Sequence, residues 1–140
     1  MNYLLDTCVI SEIIKPEPNQ KVIGWIAEQS EQHLFLSVIV LGEIQKGISK
    51  LSSSKKKAAL QLWLQNDLQE RFNGRIVPIN EDVALNWGII QASAEQQGKI
   101  IPSIDGLIAA TAVAYKMTVV TRNVQDMAAS GVQLLNPWES

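Results

Sequence analysis

The residues best suited to chemistry in this chain are carboxylates near the ends of predicted secondary-structure elements. Asp6 follows the short apolar run 3–5, Asp105 lies in the first turn of an alanine-rich segment, and Asp126 follows a valine-rich run. Glu43 lies within a segment of helical periodicity. Two carboxylates about 4 Å apart repel by about 4 kcal/mol at an effective dielectric constant near 20, so a cluster needs protons or a cation. A pocket that gathers Asp6, Glu43 and Asp105 would therefore bind a divalent cation.

An oxygen-rich site of this kind suits Mg²⁺, which keeps several waters and takes one or two carboxylates, or Mn²⁺, which favours similar ligands. Such an ion lowers the pKa of a bound water and neutralises charge on a phosphoryl oxygen. The candidate metal ligands are Asp6, Glu43 and Asp105, and Asp126 joins them as a catalytic candidate. This chemistry needs neither histidine nor cysteine.

Each carboxylate also has an ordinary structural interpretation. Asp6 and Asp105 could cap helices or complement helix dipoles. Glu43 could pair with Lys46 or Lys50 along a solvated helix face, and the remaining aspartate could be a loop acid. Periodicity does not show whether these side chains meet, so both interpretations stay open at the level of single residues.

The elements that must position these carboxylates alternate between short apolar runs and longer segments of helical periodicity. The strands are predicted at 3–5, 34–36, 75–79, 118–121 and 132–135, and the helices between them include 8–14, 38–51, 80–98 and 104–116. The serine and lysine stretch 52–57 predicts a loop. Strands separated by helices form parallel β-α-β units, so we expect a single α/β domain over 1–140, with a five-stranded parallel sheet flanked by helices in three layers. Ligands of such sheets bind beyond the carboxyl ends of the strands.

Composition excludes several classes of function. The chain has 140 residues and a net charge of −2, which argues against a generic basic nucleic-acid coat. Its single cysteine, Cys8, and single histidine, His33, exclude an intrachain disulfide, a zinc site of three or four such ligands, and paired-histidine catalysis. The N-terminus lacks a signal-peptide pattern, and the longest apolar stretch, 107–120, is too short to span a bilayer. We therefore expect a cytoplasmic protein without a membrane partner.

Four blocks of sequence, in register from end to end, carry a family resemblance. They are 3–12, 36–47, 105–112 with 119–123, and 134–138. The first contains Asp6-Thr7, the second Gly42-Glu43, and the third Asp105-Gly106. Together they resemble the PIN-domain family, and the length is usual for bacterial VapC-type toxins.

The resemblance implies a metal-dependent endoribonuclease that acts on RNA, forms homodimers and is neutralised by a small cognate antitoxin. It assigns the Mg²⁺ or Mn²⁺ ligands to Asp6, Glu43 and Asp105. Asn123 stands where many relatives carry aspartate, and Asp126, three residues on, could supply that charge. Cys8 stands where asparagine is common, so its polar contact differs from the family pattern.

Several neighbouring side chains have possible supporting roles. Thr7 could orient Asp6 or a bound water, or it could cap its helix. Lys46, Lys50 and Arg122 are possible RNA contacts, and the lysine run 55–57 adds to the only sizeable basic concentration in the chain.

Two other functions are consistent with parts of the pattern. A phosphoacceptor or phosphatase domain would use Asp6 as a nucleophile, although Cys8 stands where a phosphatase of the Asp-x-Asp kind needs a second carboxylate. A non-catalytic PIN-like module would bind RNA or a protein without cutting, and the asparagine at position 123 leaves that alternative open.

Overall fold

A five-stranded parallel sheet forms the centre of the computed structural model, which describes residues 1–139. The strands lie side by side in the order β3-β2-β1-β4-β5, and every neighbouring pair is parallel. Their bounds are β1 Tyr3–Leu5, β2 Leu34–Ser37, β3 Ile76–Val77, β4 Thr118–Val120 and β5 Leu134–Leu135. The predicted α/β fold, with this sheet flanked by helices in three layers, is confirmed.

The helices connect successive strands. They are α1 Thr7–Ile13, α2 Gln20–Glu28, α3 Val38–Ser49, α4 Lys55–Leu62, α5 Gln69–Arg71, α6 Glu81–Gln96, α7 Ser103–Tyr115 and α8 Val124–Met127. A π-helical segment, Trp63–Leu68, joins α4 to α5, and 3₁₀ turns lie at Glu31–His33 and Ala128–Ser130. Within residues 1–139, no helix has both the length and the apolar character needed to cross a membrane.

The core is built on the central strands, because parallel strands covered on both faces must be apolar throughout. Leu4, Leu34, Leu36 and Val119 are completely buried. Helix α7 packs closely on α6, and its small side chains allow this approach. At Gly106, an added Cβ would overlap the Gln91 side chain and lie 3.2 Å from Trp87 Nε1. Gly106 therefore allows the first turn of α7, which carries Asp105, to pack closely on α6.

The structure corrects the predicted loop at 52–57. Helix α4 already begins at Lys55, because the Ser54 hydroxyl accepts a hydrogen bond from Lys57 N and so caps the helix. Lys57 in turn donates to Leu51 O (2.9 Å), just beyond the end of α3. The lysine run thus belongs to a capped helix rather than to a free loop.

The strand predicted at 75–79 is shorter than expected, since only Ile76 and Val77 pair with β2. Pro78 cannot donate to a strand ladder, and β3 occupies an edge of the sheet, as its proline predicts. The other element boundaries shift by only one or two residues, which is the usual scatter at helix and strand ends.

Candidate active site

The candidate site lies between β1 and β4, where the order in which successive strands are added to the sheet reverses. β1 is central, with β2 on one side and β4 on the other, so the carboxyl ends of β1 and β4 flank a topological switch point. Asp6 directly follows β1, and Thr121 directly follows β4. Ligands of open α/β sheets bind at such a point, where the connections diverge and leave a crevice.

Asp6 is almost completely buried, at 3% exposure, and two hydrogen bonds hold its carboxylate in place. Asp6 Oδ1 accepts from Thr7 N at 2.8 Å and thereby caps α1, and Oδ2 accepts from Thr121 Oγ1 at 2.7 Å. A buried carboxylate needs such donors, because burial without them would be costly. Of the two roles considered for Thr7, capping the helix belongs instead to Asp6, as the ordinary interpretation of Asp6 had it.

Thr7 instead connects Asp6 to Glu43. The Thr7 hydroxyl donates to Glu43 Oε1 at 2.6 Å and so fixes a carboxylate that projects from the middle of α3. Lys46 and Lys50 are exposed, and neither forms an ion pair with Glu43 within residues 1–139. The ordinary interpretation of Glu43 as a member of a surface ion pair is therefore wrong.

Asp105 lies close enough to the other carboxylates to feel their charges. Burial is the largest cause that raises its pKa to about 6, and the charges of Asp6, Asp126 and Glu43 raise it further. No salt bridge joins any of these four carboxylates to a lysine or arginine in the described part of the chain. The charges of the other three carboxylates thus disfavour ionisation of Asp105, and no protein cation in the described chain relieves this repulsion.

Thr121 is the site residue that the sequence reasoning missed. It is completely buried, and its hydroxyl accepts from Asn123 N (2.9 Å) while it donates to Asp6. It therefore connects Asn123, which directly precedes helix α8 and its Asp126, to the acid after β1. A hydroxyl residue that directly follows a buried strand beside the switch point was the available signal.

Cys8 makes three weak contacts in the same crevice. Its sulfur lies 3.7 Å from Asp6 Oδ2 and from Thr121 Oγ1, and it accepts from Arg122 N at 3.5 Å. Burial and the Asp6 charge raise the pKa of the thiol to about 11. A neutral thiol at pH 7 is a poor nucleophile, which argues against cysteine chemistry.

The remaining predicted contacts lie around the crevice. Arg122 and Asn123 are exposed, and the Arg122 guanidinium carbon lies 5.2 Å from the centroid of the Trp138 ring. Asp126 is exposed on the short helix α8. Position 123 offers a neutral amide, so Asp126 supplies the fourth negative charge that reaches Asp105.

The donor set fits a hard divalent cation in its chemistry but is not a ready-made cage. Among residues 1–139, no three histidine, cysteine, aspartate or glutamate side chains are arranged to hold a metal ion by themselves. Mg²⁺ needs no such cage, because one or two carboxylates plus waters and substrate phosphates complete its coordination. The unpaired negative charge around Asp105 is the feature that such a cation would neutralise.

The chain is similar to known proteins over nearly its whole length. The family model described as PIN domain matches residues 3–128. The chain belongs to the PIN-domain family. This PIN domain is 37% identical over 136 residues to VapC ribonuclease Y4jK of Sinorhizobium fredii, with 97% of each chain covered. It is 39% identical over 135 residues to Toxin FitB of Neisseria gonorrhoeae, with 96% of this chain and 97% of the relative covered.

Solved structures show the same likeness in three dimensions. The crystal structure of FitAcB from Neisseria gonorrhoeae matches this PIN domain with a TM-score of 0.93 at 38% identity, with 99% of each chain covered. The structure of VapBC2 from Rickettsia felis bound to a promoter DNA fragment matches with a TM-score of 0.80 at 29% identity, covering 97% of this chain and 98% of that one.

An apolar groove adjoins the acidic crevice of this PIN domain. It consists of two cavities, of about 490 and 300 Å³, that share Ile14 and Trp63 in their walls. The larger cavity is also lined from α2 by Ile23 and Ile26. The smaller cavity reaches Thr7 and Glu43, so the groove ends at the acidic crevice.

Proposed function

We propose that this protein is an endoribonuclease toxin that hydrolyses RNA phosphodiester bonds with a water activated by Mg²⁺ or Mn²⁺. The observation that carries the proposal is the connected acidic arrangement after β1, in which Thr7 hydrogen-bonds both Asp6 and Glu43 and no described lysine or arginine pairs with either acid. The charges of these acids also act on Asp105 and raise its pKa. The relatives named VapC ribonuclease support the reaction type. Hydrolysis by an activated water suits a chain with one histidine, because attack by the RNA 2′-hydroxyl usually relies on paired general acid and base groups.

Asp6, Glu43 and Asp105 would hold the ion, with Asp126 or Asn123 reaching it through a water. When bound, the ion supplies a water of lowered pKa and neutralises charge on the phosphoryl oxygens. The chain's own groups keep these ligands in place: Thr121 and the Thr7 backbone fix both oxygens of Asp6. This support limits the motion of the ligands and orients them before substrate arrives.

RNA would approach across basic side chains at the rim. Lys46 lies on α3 together with Glu43, and Lys50 directly follows that helix. Phosphate contacts of this kind give affinity and salt dependence without sequence preference. Lys57 contributes less than its neighbours, since its ammonium group is engaged by Leu51 O.

We further propose that the apolar groove receives the cognate antitoxin. The relatives include a protein named as a toxin, and similar solved structures are complexes of toxins with antitoxins. An apolar segment would fill the cavities around Ile14 and Trp63, and a cationic side chain that follows it would reach Glu43. Charge complementarity at the crevice then explains how one small partner could block the acidic site.

The decisive experiment incubates purified, antitoxin-free protein with total cellular RNA in Mg²⁺, Mn²⁺ or EDTA. We expect cleavage with either ion, none in EDTA, and products with 5′-phosphate and 3′-hydroxyl ends. Asp105→Asn should lose at least roughly 100-fold in rate, because a ligand of the ion is removed. Asp82→Asn, which removes an exposed charge at the start of α6, is the matched control and should retain activity.

Two results would contradict the proposal. Products with 2′,3′-cyclic phosphate would indicate attack by the RNA itself, and growth inhibition retained by Asp105→Asn would favour a binding module that does not cut. The homodimer expected from the family resemblance stays a prediction, which sedimentation equilibrium of the purified chain tests directly.

A further inference from the structure

A separate polar cavity adjoins the acidic crevice on the side of the chain's C-terminal segment. Its volume is about 230 Å³, which is smaller than the usual pocket for a drug-sized ligand and suits a single planar group. The loop after β4 and the segment after β5 form its walls. Its polar lining residues are Arg122, Asn123, Gln125, Asp126, Asn136 and Glu139.

The cavity touches the candidate active site through Asp126, whose charge also acts on Asp105. A group bound in the cavity would therefore lie beside any phosphate held in the crevice. Its lining carries one positive charge, from Arg122, and two negative charges, from Asp126 and Glu139. This excess of negative charge disfavours a second phosphate and favours a neutral group that presents N–H donors.

Arg122 is held in a way that leaves its donors free. Its guanidinium carbon lies over the Trp138 ring, 5.2 Å from the ring centroid, which is within the range of a cation–π contact. Within residues 1–139, the guanidinium makes no hydrogen bond or ion pair, since only the Arg122 backbone N–H is bonded, to Cys8. A stacked arginine with free edge donors is suited to reading two adjacent acceptors on a base.

The amides and acids of the cavity are also free to bind. Asn136 Oδ1 accepts from Trp138 N at 2.9 Å, which leaves its NH₂ group to donate. The side chains of Gln125 and Asp126 are exposed and form no hydrogen bond in the described chain. The lining of the cavity therefore offers guanidinium and amide donors together with carboxylate acceptors.

We propose that this cavity binds a guanine base of the RNA next to the scissile phosphate and sets a sequence preference for cleavage. Guanine alone among the four RNA bases has two adjacent acceptors on one edge (O6 and N7) and two adjacent N–H donors on another (N1 and N2). Arg122 would pair with the acceptors, and Glu139 with the donors. The inference rests on the proposed ribonuclease function, since the base in the cavity would belong to the same RNA whose phosphodiester bond is cleaved.

Two measurements test the inference and separate it from the proposed function. The first is an NMR titration in EDTA, in which the unmodified protein receives the uncharged nucleosides guanosine, adenosine, cytidine and uridine in turn. We expect guanosine to shift the side-chain NH₂ signals of Gln125 and Asn136, and the other three to leave them in place. Equal shifts with all four nucleosides, or no shift with any, would overturn the inference.

The second measurement sequences the ends produced from an RNA with a randomised segment. Guanine should be enriched about fivefold or more at one position beside the cut, since a good bidentate pair discriminates by roughly 5- to 150-fold. Arg122→Lys keeps the charge but loses the paired donors, so the enrichment should fall below about twofold. Gln125→Ala removes an amide from the cavity lining and should also reduce the enrichment. Its control is Gln65→Ala, an exposed change away from the cavity, which should keep the full enrichment.

The outcomes distinguish the two proposals. Cleavage without a guanine preference, or an unchanged preference in Arg122→Lys, overturns the guanine cavity and leaves the ribonuclease standing. A guanosine-specific NMR shift without cleavage supports the cavity as a base-binding site and overturns the ribonuclease proposal instead.

Discussion

The Thr121 hydroxyl donates a 2.7 Å hydrogen bond to Asp6 Oδ2, although 115 residues separate the two in sequence. The same hydroxyl oxygen accepts from Asn123 N at 2.9 Å. One buried group thus fixes both the central acid after β1 and the start of the loop that carries Asp126. The parallel pairing of β1 with β4 makes this possible, because it aligns Leu5 with Val120 and so brings the next residue of each strand together.

Thr121→Val tests this bond, because valine keeps the shape of the side chain and removes the hydroxyl. The change leaves Asp6 without its buried donor and Asn123 N without its acceptor, so we expect a loss of about 1–3 kcal/mol in the free energy of unfolding. Loss of orientation at Asp6 should lower the RNA cleavage rate by roughly 10- to 100-fold. Urea denaturation and a cleavage assay at fixed Mg²⁺ measure the two effects.

Thr121→Ser is the control, since serine restores the donor and acceptor without the methyl group. It should recover most of the cleavage rate. If Thr121→Val cleaves as fast as the wild type, the hydroxyl has no positioning role for Asp6.

The pKa of Asp105 predicts a distinctive dependence of stability on pH. Burial, followed by the charges of Asp6, Asp126 and Glu43, raises this pKa from 3.8 to about 6. Between these values the folded chain holds a proton that the unfolded chain has released, so this contribution to stability is lost as the pH rises through about 6. Without divalent ions, Asp105→Asn should therefore melt about 2 °C above the wild type at pH 7.5, and the difference should vanish near pH 4.

Thermal melts with and without Mg²⁺ measure this effect. The ion should raise the melting temperature of the wild type at pH 7.5 and have little effect on Asp105→Asn. Asp82→Asn serves as the control for removal of a charge outside the crevice. An Asp105→Asn variant that melts below the wild type at pH 7.5 would show that the carboxylate is not under repulsive strain.

Gly106→Ala tests the close approach of α7 to α6 beside Asp105. An alanine Cβ would overlap the Gln91 side-chain amide and lie 3.2 Å from Trp87 Nε1. Gln91 would have to give up its hydrogen bond to Ile101 O, so we expect a loss of about 1–2 kcal/mol and slower cleavage. Gly88→Ala is the control, because that glycine has open space around its Cβ position, and it should stabilise α6 by about 0.5–1 kcal/mol.

A second variant distinguishes crowding from other causes. In Gln91→Ala the obstructing amide is absent, so adding Gly106→Ala to it should cost less than adding it to the wild type. Denaturation of the two single variants and the double variant gives this difference. Equal costs in the two backgrounds would contradict the crowding explanation.

Much of the fold follows from sequence because its signals are local. The apolar run before Asp6 and the alanine-rich helix that carries Asp105 each have a simple pattern, and the structure has both elements within a residue or two of their predicted bounds. The bond from Thr7 to Glu43 could not be predicted in this way, because it depends on how α1 and α3 are placed relative to each other. The start of α4 was missed because Ser54 caps a helix whose first turn is entirely lysine, a composition that opposes the helix dipole.

Ile14→Glu tests the apolar groove as the antitoxin site. Ile14 ends α1, is 39% exposed and lines both cavities, so a glutamate there would place a charge in the apolar path to Glu43. We expect the affinity for the cognate antitoxin to fall at least about tenfold, because binding would bury the unpaired glutamate charge in an apolar interface. Titration calorimetry measures the affinity, and a cleavage assay with antitoxin present should show that the variant escapes neutralisation.

Leu62→Glu makes the same chemical change at a side chain that is 60% exposed and lies outside both cavities, so it should bind the antitoxin as the wild type does. Wild-type affinity in Ile14→Glu would place the antitoxin on another surface.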